Sequence, residues 1–210
     1  MKEKVDITQQ VGITESGEIA FNLEAFDNLR NANIIITKRL TDKLIEKLIE
    51  NGFPISHVVL RIDPIVPTEK GIGTAIKVFE KFAPLKIERV RISILDMYKH
   101  VKERFIEKGI PLPFEDFHSP LSLRKSIYDT FLYYSNKYDI DLEVCGEPGI
   151  ESIPCLSQKD IDILGMSDKI TLVGSAGQRK SCGCPANKHE ILSDKPHQCK
   201  NSCLYCFWKS

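Results

Sequence analysis

Three cysteines near the end of the chain carry the clearest chemistry. The run Q-C-K-N-S-C-L-Y-C-F-W from Gln198 to Trp208 sets Cys199, Cys203 and Cys206 in a Cys-x3-Cys-x2-Cys spacing. Three thiolates on one short loop can each hold a different iron of a four-iron four-sulfur cluster, leaving the fourth iron open to a ligand. Zinc also accepts thiolates, but it usually takes four Cys or His ligands in a tetrahedron. Cys182, Cys184 and His197 are near enough in sequence to complete such a set. Spacing alone therefore leaves cluster and zinc both open. A cluster that only carries electrons would need a fourth protein ligand such as Cys184.

The spacing, with Tyr205 just before the last cysteine, resembles the radical S-adenosylmethionine superfamily. The pair GQRKSCGC (177–184) and CKNSCLYC (199–206) further resembles the ending of an uncharacterised bacterial family with a C-terminal CxC plus CxxxCxxC cluster. IIITK (34–38), LRIDPI (60–65), RISILDMYKHVKERF (91–105) and LEVCGE (142–147) extend that likeness over about residues 30–206. The resemblance implies a [4Fe-4S] cluster on Cys199, Cys203 and Cys206, with S-adenosylmethionine on the open iron and an adenosyl radical that abstracts hydrogen. It implies no substrate. In most of the superfamily the motif follows the first strand, whereas here it closes the chain. The segment 169–173 would then take the first strand's part.

The elements that must position these groups alternate in texture. Apolar, β-branched runs at 33–37 (NIIIT), 57–62 (HVVLRI), 89–95 (RVRISIL), 141–144 (DLEV) and 169–173 (KITLV) read as strands of a sheet covered on both faces. A sixth strand arises if part of 4–21 pairs. Helical patterns lie between them, at 41–51 with Gly52 to end it, at 74–82, at 97–108, and from Ser119-Pro120 to about Lys137. Ser157 and Asp160 suggest a capping box for a short helix that stops at Gly165. Such alternation predicts the α/β class. The reading is one domain over 1–210: a partial, open parallel (β/α) barrel of five or six strands over 30–173, and a cysteine-rich iron–sulfur segment over 174–210. A flat doubly wound sheet is the alternative.

Ligands of parallel α/β sheets gather at the C-terminal strand ends. Lys38 and Arg39, Arg61 and Asp63, Asp96 and Tyr98, Cys145 and Glu147, and Gly174 and Ser175 fall there. Lys38 or Arg61 could pair with a cofactor carboxylate. Asp63, Asp96 or Glu147 could accept from its ammonium or ribose, and Tyr205 could stack on its adenine. Each could equally cap a helix or pair with a neighbour. Cys182 and Cys184 form a CxC pair that suggests a second metal site, a further donor to the cluster, or a redox pair. Cys145 and Cys155 read as small buried side chains. Of the five histidines, only His189 and His197 lie in the cysteine loop as metal ligands, while His57 and His118 read as structural and His100 as surface.

The totals bound the rest. The 210 residues carry 29 basic and 29 acidic side chains, so no global charge marks a polyanion partner. A basic excess beyond Gln178 keeps a metal-stapled module that binds nucleic acid or protein as the rival function. No run of apolar residues reaches membrane-spanning length, and MKEKVD is not a secretory start, so a cytoplasmic protein with reduced thiols is expected. The expected partners are a substrate, a reductant protein, and a second copy or other chain that completes a site one strand–helix unit short near 51–57.

Overall fold

Six parallel strands, β1 (Val11–Ile13), β2 (Ile34–Lys38), β3 (Val58–Ile65), β4 (Arg89–Ile94), β5 (Asp141–Val144) and β6 (Lys188–Glu190), form one sheet in the order β5-β4-β3-β2-β1-β6. The computed structural model describes residues 11–13, 34–38, 45–46, 49–50, 52–176, 181–190 and 203–206. Consecutive strands from β1 to β5 are neighbours, and β6 adds beside β1. Among the described residues β5 and β6 are the two edges, so the sheet is open and the class is α/β.

The strongest pairing joins β3 to β4, where Leu60 faces Val90 and Ile62 faces Ile92. These side chains, with Val58, Ile94 and Val144, enter the main core beneath two helices, α1 (Glu69–Phe82) and α3 (Leu121–Tyr138). Phe79 of α1 meets Phe131 of α3 edge-on, 6.0 Å between centroids. Of the other helices, α2 (Lys99–Glu107) follows β4, and α4 (Gln158–Ile163) follows β5.

Helix α1 begins five residues before the expected 74–82. Thr68 caps it by accepting a 3.1 Å hydrogen bond from the Gly71 amide. Gly71 and Gly73 obscure that first turn in the sequence, yet Gly71 is required there: a Cβ would lie 2.1 Å from the Val66 carbonyl oxygen. The Ser157–Asp160 capping box forms as expected. Residues 45–46 and 49–50 are helical, and Gly52 follows them at φ +74°.

Three expectations are corrected. Residues 169–173 form a turn and extended coil, not a strand. Their backbone is met by Asn187, which accepts from the Val173 amide and donates to the Thr171 carbonyl, in place of a ladder. Pro120, not Ser119, is the N-cap of α3, and the buried Ser119 hydroxyl has no hydrogen-bond partner among the described residues. The segment over 174–210, outside the barrel strands expected over 30–173, contributes β6.

The two faces of β4 are both buried but differ in character. On β4, Val90, Ile92 and Ile94 enter the core while Arg89, Arg91 and Ser93 point the other way, also buried. Arg91 pairs in register with Glu143 of β5. Its Nε and Nη2 donate to Glu143 Oε2 at 2.8 and 2.6 Å. Arg89 Nη1 donates to Asp160 Oδ1 at 2.7 Å, and its Nη2 to the Ser56 carbonyl at 3.0 Å. Asp160 also lies 3.3 Å from Arg91 Nη2. With the charges matched and nearly every donor satisfied, this face is a closed ionic core.

Candidate thiol sites and the adjoining pocket

Cys203 and Cys206 stand on one tight turn, closed by the Cys206 amide donating to the Cys203 carbonyl at 3.1 Å. Both are half-buried. Arg104 of α2 holds the turn from below. Its Nε donates to the Leu204 carbonyl at 3.0 Å and its Nη2 to the Cys206 carbonyl. Leu204 and Tyr205 pack against a cluster that includes Leu95, Met97, Val101 and Phe105. The cysteine turn thus sits beside the C-terminal end of β4. Cys199, His197 and Arg39 lie outside the described residues, as do the side chains of Lys38 and His189.

Tyr205 also lines a cavity of about 520 Å³. The other walls come from β3 and α1, among them Arg61, Asp63, Thr68, Lys70 and Phe82. Arg61 Nε donates to Asp63 Oδ2 at 2.9 Å, and its Nη1 donates to Cys155 Sγ at 3.1 Å. Three of the residues singled out in the sequence, Arg61, Asp63 and Tyr205, therefore share one pocket.

The other strand-end residues are placed elsewhere. Glu147 is buried and its Oε1 accepts from the Ile94 amide at 2.7 Å, with Arg124 Nη1 3.7 Å from Oε2. Asp96 is buried beside His118, 2.8 Å from carboxylate oxygen to Nδ1. Tyr98 begins α2 and meets Phe117 edge-on. Gly174 has φ +62°, and Ser175 is exposed.

A second set of thiols lies under β5. Cys145 Sγ is 3.2 Å from Cys155 Sγ, and the Cys155 amide donates to Cys184 Sγ at 3.3 Å. Cys184 also shares a hydrogen bond with Cys182. That bond to Cys184 brings the Cys182 thiol down to about 7 against the opposing effect of burial. Cys155 pulls Cys184 the other way, but Cys182 and burial outweigh it and push Cys184 up to about 11. Cys145, Cys155 and Cys184 are all buried, as expected for the first two, and Cys182 is half-buried. The contacts among the four were not evident from their separation along the chain.

Sequence reasoning also passed over Arg89, Arg91, Glu143 and Arg104, and read Asp160 as a capping residue alone. For the first three a signal existed: R-V-R and D-L-E-V alternate with the period of a strand that has one polar face.

A parallel α/β sheet with a thiol-bearing turn beside a strand-end pocket defines an α/β protein with a cysteine-rich C-terminal segment. Residues 13–208 match the family described as "Domain of unknown function (DUF1848)", and the chain belongs to that family. No curated protein and no solved structure matches it. Among the described residues, no helix is long and apolar enough to cross a membrane.

Proposed function

We propose that this DUF1848 protein is a radical S-adenosylmethionine-type iron–sulfur enzyme, with Cys199, Cys203 and Cys206 as ligands of a [4Fe-4S] cluster. The observation that carries the reading is Tyr205. It lies between two of these cysteines and lines the 520 Å³ cavity together with Arg61 and Asp63. A thiolate turn and a cavity sized for a small-molecule cofactor thus share one residue.

Two of the three ligands lie among the described residues, and their chemistry suits the group. Cys203 and Cys206 supply soft thiolate donors on a turn braced through its own carbonyls by Arg104. When bound, the reduced cluster supplies the electron that cleaves the sulfonium carbon–sulfur bond of S-adenosylmethionine. The protein's own part is to bind and orient. Tyr205 offers an aromatic wall to the adenine, Asp63 accepts from an ammonium or ribose hydroxyl, and the Arg61 guanidinium sets positive charge beside a carboxylate. Lys38 ends β2 opposite Leu60 and stands as a second cationic residue for that carboxylate. The strand order supports the partial-barrel reading, since it is the cyclic order of a (β/α) barrel opened between β5 and β6. A cytoplasmic setting with a reductant protein, and a second copy or partner that completes the site, go with this proposal.

The test is electron paramagnetic resonance of the anaerobically reconstituted, dithionite-reduced protein, with and without S-adenosylmethionine. A cluster signal that shifts on adding the cofactor is the expected result. A signal indifferent to it leaves an electron-transfer or structural cluster. Zinc without a cluster leaves a metal-stapled module for nucleic acid or protein. Either of the last two overturns the enzyme.

A further inference from the structure

The four thiols under β5 have a use of their own. Cys145 follows β5 directly, Cys155 lies in the loop before α4, and Cys182 and Cys184 come from the segment leading to β6. Three chain segments, the first two ten residues apart and the third reached across 29, bring their cysteines into one continuous series of contacts, Cys145 to Cys155 to Cys184 to Cys182.

The segment that carries the CxC pair is held in place. The Ala176 amide donates to the Cys184 carbonyl and the Ala186 amide to the Val173 carbonyl, both at 2.8 Å. Leu156, Ile161 and Ile170 pack around the thiols, separate from the cluster that holds Leu204 and Tyr205. Four buried or half-buried thiols in one series of contacts are more than packing alone needs. In a reducing compartment, clustered cysteines point to metal in preference to disulfides.

We propose that Cys145, Cys155, Cys182 and Cys184 form a tetrathiolate site for a single divalent ion, zinc by its chemistry, independent of the C-terminal cysteine motif. Size selects the single ion. Four ligands at about 2.3 Å around a tetrahedral zinc stand roughly 3.8 Å apart, a small opening of the 3.2 Å between the Cys145 and Cys155 sulfurs, whereas the thiolates of a cubane stand much farther apart. Among the described residues no three His, Cys, Asp or Glu side chains already converge as a ligand set. Binding therefore requires the thiols to rotate from their present series to a common centre. A partner shell for the charge of four thiolates is already built: Arg61 Nη1 lies 3.1 Å from Cys155 Sγ, and the Cys155 amide donates to Cys184 Sγ. Half-buried Cys182 is the side from which the ion enters.

The test uses the full chain carrying C199S, C203S and C206S, which removes the C-terminal motif and with it any dependence on the proposed enzyme activity. The reduced, metal-free protein is titrated with cobalt(II). The expected result is one equivalent bound, with thiolate-to-cobalt charge transfer of four-thiolate intensity and the strong visible bands of a tetrahedral site, displaced by one equivalent of zinc. Adding C182S, at the half-exposed position, weakens cobalt binding by about tenfold or more and leaves the melting temperature of the metal-free protein in place. No stoichiometric cobalt, a spectrum of two thiolates or fewer, or unchanged affinity on adding C182S overturns the site. So does a Cys145–Cys155 disulfide mapped in protein purified without oxidant, or an iron–sulfur cluster assembling in the triple variant.

Discussion

Arg104 reaches across a hundred residues of chain to Leu204, its Nε 3.0 Å from that carbonyl oxygen, while its Nη2 holds the carbonyl of Cys206. One guanidinium thereby ties the cysteine turn to α2 and so to the end of β4. A guanidinium can clamp two carbonyls at once because its donors are fixed in a plane. A lysine would reach only one. Replacing Arg104 by Ala should leave the body folded and lower metal retention at Cys203 and Cys206 by about 10–100-fold in affinity, the usual effect of losing an outer-shell partner. Iron and sulfide content after anaerobic reconstitution, beside an unchanged circular dichroism spectrum, checks it. Arg104→Lys should recover only part of the loss.

The Arg91–Glu143 pair is a stability device in the same sense. Neither side chain is more than 4% exposed. Glu143→Gln should cost about 3–5 kcal/mol in urea unfolding, because it leaves the two buried guanidiniums of Arg89 and Arg91 facing the single carboxylate of Asp160. Converting Arg91 to Met together with Glu143 to Leu should be much milder than the single change. A double variant as unstable as the sum of its singles would show that the pair is not the source.

Asp160 gives the pH dependence. Burial pushes its carboxyl up, but Arg91, Arg89 and the Ser157 amide together outweigh burial and hold it below the ordinary carboxylate value. Its folded pKa is thus lower than its unfolded one. The stabilisation is complete above the unfolded value and is lost as pH falls through the depressed folded value. Acid titration of urea stability should therefore fall more steeply below about pH 4 in the native protein than in Asp160→Asn. Equal slopes would mean that Asp160 does not couple to folding.

The thiols offer a kinetic readout in the reduced, metal-free protein. Cys182 becomes a thiolate as pH rises through about 7, while Cys184 stays protonated to about 11. Iodoacetamide should label Cys182 first, with a rate that is half-maximal near pH 7, and Cys184 last. Peptide mapping across pH 6–9 measures this directly. Labelling of Cys184 ahead of Cys182 would contradict the arrangement.

Tyr205 tests the pocket. Tyr205→Ala should weaken S-adenosylmethionine binding by about 1–3 kcal/mol, by analogy with the loss of aromatic stacking on a base. Tyr205→Phe should leave it nearly intact. Equilibrium dialysis on the reconstituted protein distinguishes the two.

Much of the frame was legible in the residues alone. The runs at 57–62, 89–95 and 141–144 became β3, β4 and β5, and Ser157–Asp160 became a capping box, because these are local signals of period and cap. The start of α1 was hidden because Gly71 and Gly73 weaken helix propensity, and it is the close approach to Val66 that requires a glycine at 71. Residues 169–173 have the composition of a strand, but composition does not supply a neighbour. Asn187 took their backbone groups instead.

By itself, the sequence determined the alternation of strands and helices, the spacing of Cys199, Cys203 and Cys206, and the crowding of thiols near the end of the chain. These depend only on residue type and short separations. Tertiary structure alone decided that Arg61, Asp63 and Tyr205 share one cavity, and that Arg104 holds the cysteine turn. It also decided that Cys145 and Cys155 stand against the CxC pair. Such meetings join segments tens to a hundred residues apart, and they follow from parallel strand register and packing, which no local pattern encodes.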